Sequence, residues 1–168
     1  VAGTGNKIDG KCNSVYGNIN QIIGLLNTIQ GNQNGVNGDQ NSIWGISNKV
    51  VGLLNNIVGS DNRNMGENNN LIGNTNYVVG GGNQALGNSN NLIGDKNYAW
   101  GINNLIQGKK STATGTDNYV IGDSAVVKGT LNSNSGNDNV IYGKGNEVVG
   151  ANNQIGTGLA ESPTKKDF

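Results

Sequence analysis

Apolar residues in this chain fall on a seven-residue grid. From Asn69 to Lys110 the chain reads NNLIGNT, NYVVGGG, NQALGNS, NNLIGDK, NYAWGIN and NLIQGKK; each line opens with Asn, carries an aliphatic residue or Ala third and has Gly fifth. Followed in both directions, these heptads run from Asn6 to Leu159 as 22 units without an insertion or deletion. Residues 1–3 already fit the end of an earlier unit, with Gly3 in the glycine place. Place 1 is Asn except at Ser111 and Ala125, place 3 is apolar except at Asn64 and Asn134, and place 5 is Gly from Gly10 to Gly150, failing only at Thr157. Such periodicity decides the architecture before any other feature does.

Places 2 to 4, with Val or Ile in the middle, are a minimal strand whose central side chain faces one way and whose neighbours face the other. Glycine at place 5 supplies a turn with positive φ or a close backbone approach. Asn at place 1 lies two residues before the apolar position and points to the same side, so stacked units can form an amide ladder that satisfies the polar backbone of the corners. A helix is excluded, because Gly at every seventh residue would cost it about 1 kcal/mol each time. The expected fold is therefore all-β, a parallel β-solenoid of 22 seven-residue units with one strand and one turn per unit.

The number of units per coil is read from the side chains that face outward. Tyr16, Tyr77, Tyr98, Tyr119 and Tyr142 fall in one class when units are counted in threes, and the charges Lys7, Asp9, Lys49, Arg63, Lys128 and Glu147 at places 2 and 4 fall outside that class. Counting in twos scatters the tyrosines. A three-sided coil of 21 residues is therefore preferred over a two-sided coil of 14, giving about seven coils and a rod roughly 34 Å long. Residues 1–159 form the expected single repeat domain. The segment 160–168, AESPTKKDF, contains the one Pro and reads as a C-terminal tail. The chain starts inside a repeat and without Met, which reads as a processed or truncated form.

Composition narrows the function. Gly occupies 29 positions and 33% of residues are hydrophobic, but the strict grid separates the chain from disordered Gly-rich sequences. A formal net charge of zero with 13% charged residues lacks the basic footprint of a nucleic-acid binder. No apolar run has the length of a membrane-crossing helix. There is no His, which removes the usual general base and most zinc sites, and Cys12 is a single thiol without a partner for a cluster. Gly80, Gly81 and Gly82 lack the Lys-Ser/Thr of a phosphate-binding loop, and no N-glycosylation sequon occurs among the many Asn residues. No catalytic residue, metal ligand or cofactor is expected.

The segments Asn13-Ser-Val-Tyr-Gly17, Asn48-Lys-Val-Val-Gly52 and Asn146-Glu-Val-Val-Gly150 resemble the N-x-[V/I]-x-G repeat of the ryegrass-type antifreeze proteins, ice-binding β-rolls of grasses. That resemblance implies two heptads per coil and a flat face of small Thr, Ser and Val side chains that meets ice. The chain departs from it in its apparent three-heptad coil and in its few outward threonines, Thr28, Thr112 and Thr114. The Asn/Gly and aliphatic spacing is also similar in style to the β-roll heads of bacterial trimeric adhesins.

At place 4 the outward residue is aliphatic or aromatic in 14 of 22 units, among them Ile23, Trp44, Met65, Ile72, Leu86, Ile93 and Trp100. Soluble monomers seldom expose contiguous apolar area of that extent. On a three-unit coil, Tyr77, Tyr98 and Tyr119 stand one above the other with Val79, Trp100 and Ile121 beside them. With Tyr16 and Tyr142 they form the expected binding face. The expected function is that of a non-catalytic extracellular or cell-surface solenoid that self-associates or coats a surface through flat apolar and aromatic faces. Ice binding through a flat repetitive face is the alternative, and a polysaccharide is a further extended partner that flat aromatic rows suit.

Overall fold

The computed structural model describes residues 1–156, and the tail expected at 160–168 lies outside them. Within them every heptad forms one short strand, and the strands alternate between two parallel eleven-stranded sheets. Sheet A holds β2 (Ser14–Tyr16), β4 (Thr28–Asn32), β6 (Ser42–Ile46), β8 (Asn56–Ser60), β10 (Asn70–Ile72), β12 (Gln84–Asn88), β14 (Tyr98–Ile102), β16 (Thr112–Thr116), β18 (Val126–Thr130), β20 (Val140–Lys144) and β22 (Gln154–Ile155). Sheet B holds β1 (Lys7–Asp9), β3 (Gln21–Ile23), β5 (Gly35–Asn37), β7 (Lys49–Val51), β9 (Arg63–Met65), β11 (Tyr77–Val79), β13 (Asn91–Ile93), β15 (Leu105–Gln107), β17 (Tyr119–Ile121), β19 (Ser133–Ser135) and β21 (Glu147–Val149).

The all-β parallel solenoid is as expected, but the coil is not. Lys7 pairs with Gln21 and Ser42 with Asn56, an offset of 14 residues, so a full coil takes two heptads rather than the preferred three. The reason lies in the corners and in the width of the core. Place 5 is Gly with φ between +111° and +153°, and place 7 is left-handed as well, even at Ile19 (φ 58°) and Thr75 (φ 59°). Two positive-φ residues in three turn the chain back on itself after each strand, where a three-sided coil needs a gentler corner. Each unit also sends only one apolar side chain inward, from place 3. Two flat sheets bring those side chains into contact, whereas a triangular interior would leave a void along its axis. Accordingly Val15, Ile22, Ile29, Ile43 and Ile57 are fully buried in one continuous core.

Two asparagine ladders close the corners. Asn34 is typical: its backbone N–H and its Nδ2 donate to Asn20 Oδ1 at 3.0 and 3.1 Å, and Nδ2 also donates to the Gly45 carbonyl at 2.8 Å. Each amide thus ties its own coil to the coils on both sides. The ladder of the sheet A units is interrupted at two successive rungs. At the first, Ser111 substitutes by donating its Oγ to the Gly122 carbonyl at 2.7 Å and accepting the Ala125 N–H at 3.2 Å.

At the second rung Ala125 has no amide, and Gly136 O and Asn139 Nδ2 would lose the partner they have elsewhere. Asn134, one of the two polar residues at place 3, supplies both bonds. Its Nδ2 donates to Gly136 O at 3.0 Å and its Oδ1 accepts from Asn139 Nδ2 at 2.8 Å. The two irregularities of the repeat are therefore one feature, a rung moved from place 1 of one unit to place 3 of the next.

The other polar core residue has no such role. Asn64 is completely buried, stacks in register between Val50 and Val78, and has no hydrogen-bond partner for Oδ1 or Nδ2. A buried amide without partners costs the desolvation of its polar atoms, while Val would continue the column. Asn64→Val is therefore expected to raise stability by about 1–3 kcal/mol, read as a higher urea midpoint at unchanged slope.

Candidate interaction face

The two-heptad coil redistributes the residues expected to form one face. Tyr16, Tyr98, Trp100 and Tyr142 lie on sheet A, in β2, β14 and β20; Tyr77, Val79, Tyr119 and Ile121 lie on sheet B, in β11 and β17. Tyr98 is flanked by Gln84 and Thr112, and Tyr77 by Arg63 and Asn91, so no tyrosine stacks on another across these coils. The coincidence in threes does not correspond to a surface.

Charge does correspond to one. Lys7, Asp9, Lys49, Arg63 and Glu147 all stand on strands of sheet B, and Lys11, Asp39, Glu67, Asp95, Lys109 and Asp123 occupy the place 6 corner beside it. Sheet A, from β2 through β16, carries no charged residue at places 2 to 6. Its first charge in that span of places is Lys128 in β18, whose Nζ sits 5.5 Å from the centre of the Tyr142 ring. The aspartates of the sheet B corner have structural partners: Asp39 Oδ1 accepts the Leu25 N–H at 2.7 Å, Asp95 Oδ1 that of Gly81 at 3.0 Å and Asp123 Oδ1 that of Lys109 at 2.7 Å. Among the described residues no group of three or more His, Cys, Asp or Glu is placed to hold a metal ion.

The faces also differ in shape. Most sheet A strands are five residues long, so places 2, 4 and 6 form three outward ranks, whereas sheet B strands have three residues. Sheet B is indented at Gly35, where a missing side chain leaves a groove of about 430 Å³ between Gln21 and Lys49. Sheet A instead rises in two ridges of the same sequence, Trp44-Gly45-Ile46 in β6 and Trp100-Gly101-Ile102 in β14, with Trp44 52% and Trp100 58% exposed. Four coils separate the ridges, or about 19 Å at the usual strand spacing. Between them lie the smaller Val58, Ile72 and Leu86.

Trp100 belongs to the face expected from the sequence, whereas Trp44, Ile46 and Ile102, which share sheet A with it, do not. The signal that finds them is the segregation of charge when units are counted in twos: of the six outward charges at places 2 and 4, only Lys128 is on sheet A. No protein-family model and no curated protein matches the chain.

Proposed function

We propose that this protein is a non-catalytic structural or interaction solenoid that works outside the cell or at its surface and self-associates through sheet A. The observation that carries this reading is the uncharged, three-rank face from β2 to β16, on which Tyr16, Trp44, Ile72, Trp100 and Ile102 are each at least 44% exposed. An apolar strip of this length on a rigid support is characteristic of an association surface. Indole rings are enriched among the residues that dominate such surfaces. Backbone amides of the strands are already paired within the stack, so a partner is met by side chains, and association need not disturb the fold.

A second reading, ice binding, is supported by the two-heptad coil, which is the coil length the ryegrass-type resemblance implies, and by the strand Thr112–Thr116, whose outward residues are all Thr. The bulk and unevenness of the Trp ridges favour a protein partner over a crystal plane. Light scattering over a concentration series separates the two. Expected are a rise in mass with concentration and a loss of that rise in Trp44→Ser/Trp100→Ser at unchanged melting temperature. A monomer at all concentrations that stops recrystallisation of ice would overturn the first reading in favour of the second.

A further inference from the structure

The uncharged part of sheet A is complementary to itself when reversed, and we infer that two copies pair face to face with their rods antiparallel about a two-fold axis passing between β8 and β10. This rests on the reading above that sheet A is the association face. At place 4, reversal about that axis sets Tyr16 against the second copy's Thr114, Gln30 against Trp100, Trp44 against Leu86 and Val58 against Ile72. Every ring then meets a side chain that is not a ring, and each ridge enters a hollow. At place 2, Tyr98 meets Thr28 and Asn56 meets Asn70, which pairs hydroxyl and amide groups with one another.

Neighbouring arrangements do worse. An axis between β6 and β8 also keeps the rings apart but leaves Trp100 over the second copy's Ala2 and covers fewer strands, and one between β10 and β12 sets Lys128 against Gln30 and Tyr16 against Tyr142. An axis through β10 stacks Trp44 on Trp100, and one through β8 stacks Trp100 on Tyr16. Parallel rods put each Trp on its own counterpart and hold the sheets apart over Val58, Ile72 and Leu86, forfeiting close packing. The inferred register covers the uncharged strands; Lys128, in the next strand, falls at the end of the contact opposite the second copy's small Ala2, and Lys144 lies beyond the second copy's first residues, so neither is enclosed between the sheets. Eight coils by five residues give a footprint of roughly 600 Å² per copy and about 1,200 Å² in all, the lower bound of interfaces that hold specific dimers.

Spin labels test the register separately from the association. In a Cys12→Ser background, single cysteines at Gln33 and Asp61, both exposed at place 7 beside sheet A, are labelled and the distance between copies measured by pulsed electron resonance, with mass followed by sedimentation. Across the antiparallel pair the two Gln33 labels are offset by five coils, about 24 Å along the rod, and the two Asp61 labels by one coil, about 5 Å. A dimer with clearly longer Gln33 than Asp61 distances is the expected result. A dimer with equal distances at both sites, or growth beyond dimers, overturns the antiparallel pair while leaving association through sheet A in place. A monomer at every concentration overturns both.

Discussion

Gly59→Ala is expected to divide the solenoid energetically at the coil that contains it, costing at least about 3 kcal/mol. Gly59 has φ +131°, and a Cβ built on it would overlap the Gly73 carbonyl of the next coil. That carbonyl is fixed, since it accepts the Asn62 Nδ2 at 2.7 Å and belongs to the stack itself. Relief requires adjacent coils to move apart, and coils in a linear stack are stabilised by their nearest neighbours. Urea unfolding should show a lower midpoint, and amide exchange should lose protection first at the coils containing residues 55–75. Gly35→Ala is the control. Nothing lies within 4 Å of its added Cβ and its φ is not positive, so a change within about 0.5 kcal/mol is expected.

Asn134→Val should cost about 2–4 kcal/mol, the opposite of Asn64→Val although both replace a buried amide at the same place of the repeat. Removing the Asn134 amide strands the Gly136 carbonyl and one of the two N–H donors of Asn139 Nδ2, whose other donor stays on the Gly150 carbonyl; these are the groups that Ala125 already fails to serve. Restoring the regular rung should rescue it: Ala125→Asn with Asn134→Val is expected to return to about wild-type stability or above. Ala125→Asn alone crowds a second amide into one rung and should destabilise by about 1–3 kcal/mol. A double-mutant cycle read by urea midpoints therefore has a coupling energy of about 3–7 kcal/mol, the sum of the two single effects, and additive single effects would refute the moved rung.

Much of this was legible before the fold was known. Gly59 and its equivalents were marked by their spacing, and the core residues Val15, Ile29 and Ile57 by place 3. What could not be read was which irregularities belong together. Ala125 and Asn134 are nine residues apart and occupy different places of their units, and only stacking brings the second amide to the carbonyl and donor left by the first. Asn64 looks the same as Asn134 in the sequence and differs only in what surrounds it. The left-handed corners were likewise hidden, because Ile19, Leu54 and Thr75 are residues that resist positive φ. Tertiary closure of the coil, with bonds such as Leu54 N–H to the Asp39 carbonyl at 3.1 Å, imposes the conformation on whatever residue stands there.

The candidate face shows the same division. Local chemistry within each heptad, an inward Val or Ile, an Asn beside it and a Gly that alone tolerates a carbonyl against its Cα, determined that the chain would coil into stacked parallel strands. It did not determine how sharply the corners turn, which depends on how closely two sheets must approach to cover one apolar side chain per strand. That approach fixed 14 residues per coil. It sent Tyr77 and Tyr98 to opposite faces and aligned Trp44 with Trp100 on a sheet that carries no charge at places 2 to 6 from β2 to β16.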